Sequence, residues 1–167
     1  AVVMGRIRSV LRAYALESTS PADALDRLDR KFAHFEPGEM ATVLYGVIEP
    51  SLDQITMASA GHLPPVQAVP GQPARLIEID PSPPIGAQLG DRRQNTLVAL
   101  PPGGALALYT DGLVERRDVP IDERLAQLCA AFGAGPPERV CGTVMAALTS
   151  DAMLEDDTAL LAIRRVG

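Results

Sequence analysis

The residues best suited to chemistry in this chain are acidic side chains at two strand ends. Asp111 follows the apolar run Ala105–Tyr109, which reads as a strand, and Gly112 permits a sharp exit of the chain. Asp156 and Asp157 stand immediately before Thr158–Ile163, a second strand-like run that reads as a buried closing strand. If the two strands pair antiparallel, the end of one lies beside the beginning of the other, and the three carboxylates gather at one sheet edge. Neighbouring like charges raise each other's pKa, so such a cluster calls for a cation. Oxygen-only donors favour Mg²⁺ or Mn²⁺ over zinc. The competing reading is that Asp-Gly and Asp-Asp are ordinary turn residues, and spacing alone leaves both readings open.

Other reactive side chains carry weaker signals. Cys129 and Cys141 fit no metal or redox spacing and fall at apolar positions of two helical patterns. They read as buried free thiols, in keeping with a reducing cytoplasm. His62 is a candidate general acid, but a structural, hydrogen-bonding histidine is the favoured reading. Arg6, Arg8 and Arg12 are able to attract phosphate, although their helical distribution fits a solvated face equally well.

The elements that must position these residues follow from periodicity. Val3, Ile7, Val10, Leu11 and Tyr14 recur at helical spacing up to Glu17. That pattern begins at Ala1 without a capping residue, which predicts that the natural protein continues upstream. A second helix starts at Ser20-Pro21, with Asp23 in its first turn, and presents Leu25, Leu28, Phe32 and Phe35 on one face. Strands are predicted over Ala41–Ile48, Gln54–Ser59, Pro65–Val69, Ala74–Ile79, Gln94–Leu100 and Ala105–Tyr109, with a Pro-rich loop from Asp80 to Gly90. Two further helices carry Leu125, Leu128, Cys129 and Phe132, then Val140, Val144, Met145 and Leu148. The order of helices, strands, helices and a last strand argues for one α+β domain over 1–167 with a largely antiparallel sheet.

Composition narrows the function classes. The 167 residues are 47% hydrophobic and 22% charged, as in a globular protein with a core of its own. A net charge of −6 argues against a nucleic-acid partner, and no apolar run has the length of a membrane span.

Five segments in order carry a family resemblance. They are Met40-Ala41-Thr42-Val43-Leu44-Tyr45-Gly46-Val47, Ala60-Gly61-His62-Leu63-Pro64-Pro65, Pro84-Ile85-Gly86, Leu108-Tyr109-Thr110-Asp111-Gly112-Leu113-Val114-Glu115 and Asp156-Asp157-Thr158-Ala159-Leu160. Together they resemble the SpoIIE/RsbU branch of the PPM, or protein phosphatase 2C-like, phosphatases. The resemblance implies an αββα sandwich of two mainly antiparallel sheets flanked by helices. It also implies two Mn²⁺ or Mg²⁺ ions, with Asp111 and Asp156 as ligands, Asp157 ranked second and Gly112 structural. The family's upstream metal-binding aspartates have no counterpart here, so the chain is expected to be the larger, C-terminal part of such a domain. The implied activity is hydrolysis of phosphoserine or phosphothreonine on a STAS-type anti-sigma factor antagonist by metal-activated water. An upstream sensor domain or a second copy would act through the two N-terminal helices. The alternative is a catalytically incomplete regulatory or dimerisation module.

Overall fold

A computed structural model of the chain describes residues 2–87, 92–149 and 157–166. In chain order the elements are α1 (Val2–Glu17), α2 (Pro21–Phe35), β1 (Val43–Ile48), β2 (Gln54–Ala60), β3 (Val66–Ala68), β4 (Arg75–Leu76), β5 (Thr96–Ala99), β6 (Ala105–Tyr109), α3 (Ile121–Ala131), α4 (Pro137–Thr149) and β7 (Leu160–Arg164). They fall into two compact units, one built from residues up to 62 with 79–99, the other from 63–78 with the residues from 100 onward. Two mainly antiparallel sheets and four α-helices make this the expected α+β class.

The first unit holds the sheet β1-β2-β5, antiparallel throughout, with Val43 opposite Ala60 and Ile55 opposite Val98. Helix α2 starts where the sequence places it. Ser20 is extended, its hydroxyl accepts from the Asp23 amide at 3.3 Å, and Pro21 occupies the first turn. Its apolar stripe Leu25, Leu28 and Phe32 is buried with Ala58, Ala60 and Ile85, and Ile7 of α1 joins the same cluster. Val3, Val10, Leu11 and Tyr14 pack against it from α1, so that helix is seated on α2. Phe35, expected on the buried face, is instead 65% exposed. It is the last residue of α2, and its ring meets His34 edge-on at 4.7 Å.

A buried arginine ties α2 to the loop before β5. The Arg93 side chain is 2% exposed and reaches Asp26 at 3.1 Å and Asp29 at 3.0 Å, with the Pro83 carbonyl also at 3.0 Å. Asp29 further accepts from the Gly86 amide at 2.7 Å, and Asn95 accepts from the Ala22 amide while donating to Ser20. Two glycines permit this close packing. Gly61 has φ +69° and a Cβ there would stand 2.6 Å from Pro84, while Gly86 has φ +86° and a Cβ would meet the Glu39 carbonyl at 2.1 Å.

In the second unit the strand order is β4-β3-β6-β7, again antiparallel. Ala105, Ala107 and Tyr109 of β6 share a core with Leu125, Leu128 and Phe132 around α3 and with Val140, Val144 and Leu148 of α4. The expected strand Ala74–Ile79 shrinks to the two residues of β4, which pair with Val66 and Gln67, and one further backbone bond runs from Ile77 to the Pro65 carbonyl at 2.8 Å. β7 is half-buried at the sheet margin, with Leu161 55% exposed, rather than the buried strand expected.

The Arg93 network yields a stability ordering. Removing both carboxylates (Asp26→Ala with Asp29→Ala) leaves a buried guanidinium without a counter-charge and should cost about 3–5 kcal/mol. Arg93→Met should cost less, about 1–2 kcal/mol, because Asp26 and Asp29, whose side chains are 20% and 23% exposed, can hydrate. Denaturant unfolding of the three proteins checks the order, and the reverse order would show that the arginine serves mainly as packing.

Candidate metal centre

The acidic edge is built by the pairing of β6 with β7. Tyr109 stands opposite Leu160, so the last residue of one strand meets the first of the other. Thr110 carries the ladder one step further. Its amide donates to the Ala159 carbonyl at 3.1 Å, and its hydroxyl accepts from the Ala159 amide at 2.9 Å. The same hydroxyl donates to the Asp157 carbonyl at 3.2 Å. The antiparallel arrangement expected from sequence is therefore present, and it brings the Asp111 and Asp157 segments side by side.

Beyond Thr110 the chain turns into a short 3-10 turn, Asp111–Leu113. The chain leaves the strand sharply at this turn, and Gly112 is not among the glycines at positive φ. Gly112 is buried, and its amide donates to Asp111 Oδ1 at 2.9 Å. The Asp111 carbonyl accepts from Val114 and Glu115, fixing the turn, and Leu113 and Val114 anchor it in the core. Asp111 and Asp157 themselves are exposed. Asp156 lies outside the described residues.

The donor chemistry at this edge suits a hard divalent cation, since carboxylate oxygens are the side-chain atoms that the two segments present. Among the described residues, no three His, Cys, Asp or Glu side chains group closely enough to hold a metal. Asp111 and Asp157 are two exposed carboxylates that the described residues place on these adjoining segments.

The other sequence candidates are held in structural roles. The His62 amide donates to the Ser59 hydroxyl at 3.1 Å, and His62 Nδ1 lies 3.3 Å from the Thr42 hydroxyl. This is a hydrogen-bonding histidine in the first unit. Cys129 and Cys141 are free and half-buried rather than fully buried. Burial pushes the Cys129 thiol up, with a backbone contact from Leu76 opposing the shift, so little thiolate forms at neutral pH. Arg6 pairs with Glu36, whereas Arg8 and Arg12 are exposed on α1. Tyr109 is buried and donates to the Pro64 carbonyl at 2.7 Å, and burial followed by the nearby Cys129 drives its phenol pKa far up. Thr110 escaped the sequence reading. Its place at the last step of an apolar strand, just before Asp-Gly, was the available signal.

Two antiparallel sheets, each with helices packed against it, define a protein of the PP2C fold class. The RsbU and RsbW domains of a Mycobacterium tuberculosis protein superpose with a TM-score of 0.84 at 27% identity, covering 99% of this chain and 48% of that one. The chain thus spans about half the length of that relative. The PP2C domain with a regulatory fragment of SpoIIE from Bacillus subtilis matches at 0.79 and 14% identity, covering 95% of this chain and 49% of that one. The SiaA PP2C domain of Pseudomonas aeruginosa matches at 0.73 and 19% identity, covering 98% and 70%. The family described as stage II sporulation protein E (SpoIIE) matches residues 1–166, and the chain belongs to it.

Thr110 supplies a direct test of the edge. Thr110→Val removes both hydroxyl bonds and leaves the Ala159 amide without that acceptor, so stability should fall by about 1–2 kcal/mol. Hydrogen exchange at Ala159 should quicken about 5–30-fold, the factor that about 1–2 kcal/mol represents. An unchanged Ala159 rate would show that the β6–β7 ladder does not depend on this side chain.

Proposed function

We propose that this chain belongs to a metal-dependent protein phosphatase that hydrolyses phosphoserine or phosphothreonine. The observation that carries this reading is the Thr110 splice, which sets the Asp111 turn against the Asp157 segment at an exposed edge. Membership of the SpoIIE family supports it. Asp111 and Asp156 are the proposed ligands, with Asp157 in the supporting place. When bound, two Mn²⁺ or Mg²⁺ ions supply an acidified water for in-line attack on phosphorus and offset the charge of the phosphate.

The chain's own part is to hold carboxylates at fixed positions and to keep them solvated until a cation arrives. The Asp111 turn does this by burying Gly112, Leu113 and Val114 while leaving the carboxylate exposed. An anionic edge repels phosphate until its charge is neutralised, so substrate binding should depend on metal. No covalent phosphoenzyme is needed, and Cys129, with its raised pKa, is poorly suited to form one. The proposed substrate is a phosphorylated STAS-type anti-sigma factor antagonist in a cytoplasmic partner-switching circuit. The pairing of RsbU with RsbW domains in the Mycobacterium tuberculosis relative supports that setting.

In the full-length natural protein with Mn²⁺, Asp111→Asn or Asp156→Asn should lower phosphate release from a phosphoserine protein at least about 100-fold without unfolding it. Asp157→Asn should be milder. Near-normal turnover in either of the first two variants would refute the ligand assignment, and the reverse ranking of Asp156 and Asp157 would exchange their roles. A second check uses the thiols. Cys129→Ala combined with Cys141→Ala should keep turnover within about twofold, as expected of groups outside the chemical step. A loss of several orders of magnitude would point instead to thiol nucleophilic catalysis.

A further inference from the structure

Arg124, in the first turn of α3, is a charged residue only 9% exposed. Its Nη2 donates to the Leu148 carbonyl at 2.6 Å and to the Leu113 carbonyl at 3.3 Å, and Nη1 donates to Gln127 at 2.9 Å. Nε is buried without a hydrogen-bond partner. Among the described residues no carboxylate lies within ion-pair distance of this guanidinium. Burying a cation among neutral dipoles is costly, and an aliphatic side chain would fill the same volume without that cost. Burial, then the charge of Arg116, lowers the pKa of the group, which is the expected signature of this expense.

What the arginine obtains in return is geometric. Leu113 closes the 3-10 turn that begins at Asp111, and its side chain is fully buried. Leu148 lies in the last turn of α4, where carbonyls lack helical partners and a cation meets the negative end of the helix dipole. One rigid, forked group therefore holds the Asp111 turn and the end of α4 together from beneath. The exposed carboxylate sits two residues before the clamped carbonyl.

We infer that Arg124 is a positioning residue, which presets the Asp111 carboxylate for a divalent cation by clamping the Leu113 carbonyl to the end of α4. This rests on the reading of Asp111 as a metal ligand. Arg124 touches neither substrate nor cation in this role. It acts as the supporting partners of metal ligands do elsewhere, where their loss weakens metal binding by about 10–100-fold. Lysine is an imperfect replacement, because Nη2 meets both carbonyls while Nη1 is held by Gln127, and a flexible ammonium lacks that second, orienting contact.

The test uses the full-length protein carrying Arg124→Met or Arg124→Lys, with Asp111→Asn as reference. Mn²⁺ affinity is read by calorimetry, and amide exchange of the Asp111 turn is read in the metal-free protein. Arg124→Met should weaken Mn²⁺ binding about tenfold or more. It should also speed exchange at Val114 and Glu115, whose amides bond to the Asp111 carbonyl. Substrate KM at saturating Mn²⁺ should remain within about twofold, the mark of an effect on metal placement rather than on substrate binding. Arg124→Lys should recover part of the affinity. Should Arg124→Met fail to fold, Arg124→Lys carries the test, with an affinity loss of about threefold to tenfold expected. Wild-type Mn²⁺ affinity in a folded Arg124 variant, while Asp111→Asn is impaired, overturns the clamp alone. Wild-type affinity in Asp111→Asn overturns the ligand assignment beneath it.

Discussion

The register in which β6 and β7 pair is the constraint on which the acidic edge depends. Side chains alternate along a strand, so a slip by one residue would carry Ala105, Ala107 and Tyr109 off the face that packs against α3 and α4. Those positions accept the helices because two of the three are alanines, and the third spends its hydroxyl on the Pro64 carbonyl. Packing on that face therefore selects one register. Once Tyr109 is opposite Leu160, Thr110 has no choice but to meet Ala159, and the Asp111 turn must begin beside Asp157. The site's geometry is thus a consequence of core packing several residues away.

Much of this was readable from local pattern. β6 and α1 have the bounds that periodicity assigns them, and the Ser20 cap forms where the Ser-Pro-x-Asp signature places it. The failures share a cause, which is that burial is decided by tertiary neighbours. Phe35 continues the stripe of α2, yet the helix ends there with no core behind it. β7 is apolar enough to be a central strand but lies at the margin of its sheet. Arg93 and Arg124 carry no local sign of their burial. No local rule says that residues 26 and 29 will face 93, or that a first-turn arginine will lie beneath an Asp-Gly turn. At the candidate site, the pairing of Asp111 with the Asp157 segment was legible because it needs only strand polarity, whereas the support from Thr110 and Arg124 was not.

The segments that carry the family resemblance divide between structure and chemistry. Gly61 and Gly86 each sit at positive φ with a neighbour inside the space of a Cβ, and Ile85 pairs its backbone with Ala41. The Ala-Gly-His and Pro-Ile-Gly segments are therefore packing devices that lock the Pro-rich loop onto the first unit. They identify a fold. Among the described residues, the segments around Asp111 and Asp157 bring exposed acidic residues onto adjoining strand ends, so the proposed function rests on a small fraction of the residues that make the resemblance.

Two buried arginines show how this chain holds carbonyls that its sheets and helices leave without partners. Loops and short turns lack ladder partners, and their carbonyls must be satisfied by side chains or water. Arg93 does this for Pro83 with two carboxylates to balance its charge, whereas Arg124 does it for Leu113 and Leu148 with none among the described residues. The difference follows from what each segment carries. A loop locked by an ion pair is stable but introduces negative charge of its own beside the contact. Beneath an acidic turn, an added carboxylate would repel Asp111 electrostatically. Carbonyl dipoles give the guanidinium its hydrogen bonds without that repulsion. A buried cation with no carboxylate partner among the described residues is an expensive support, but, like the neutral Thr110 hydroxyl, it braces the acidic turn without adding negative charge to it.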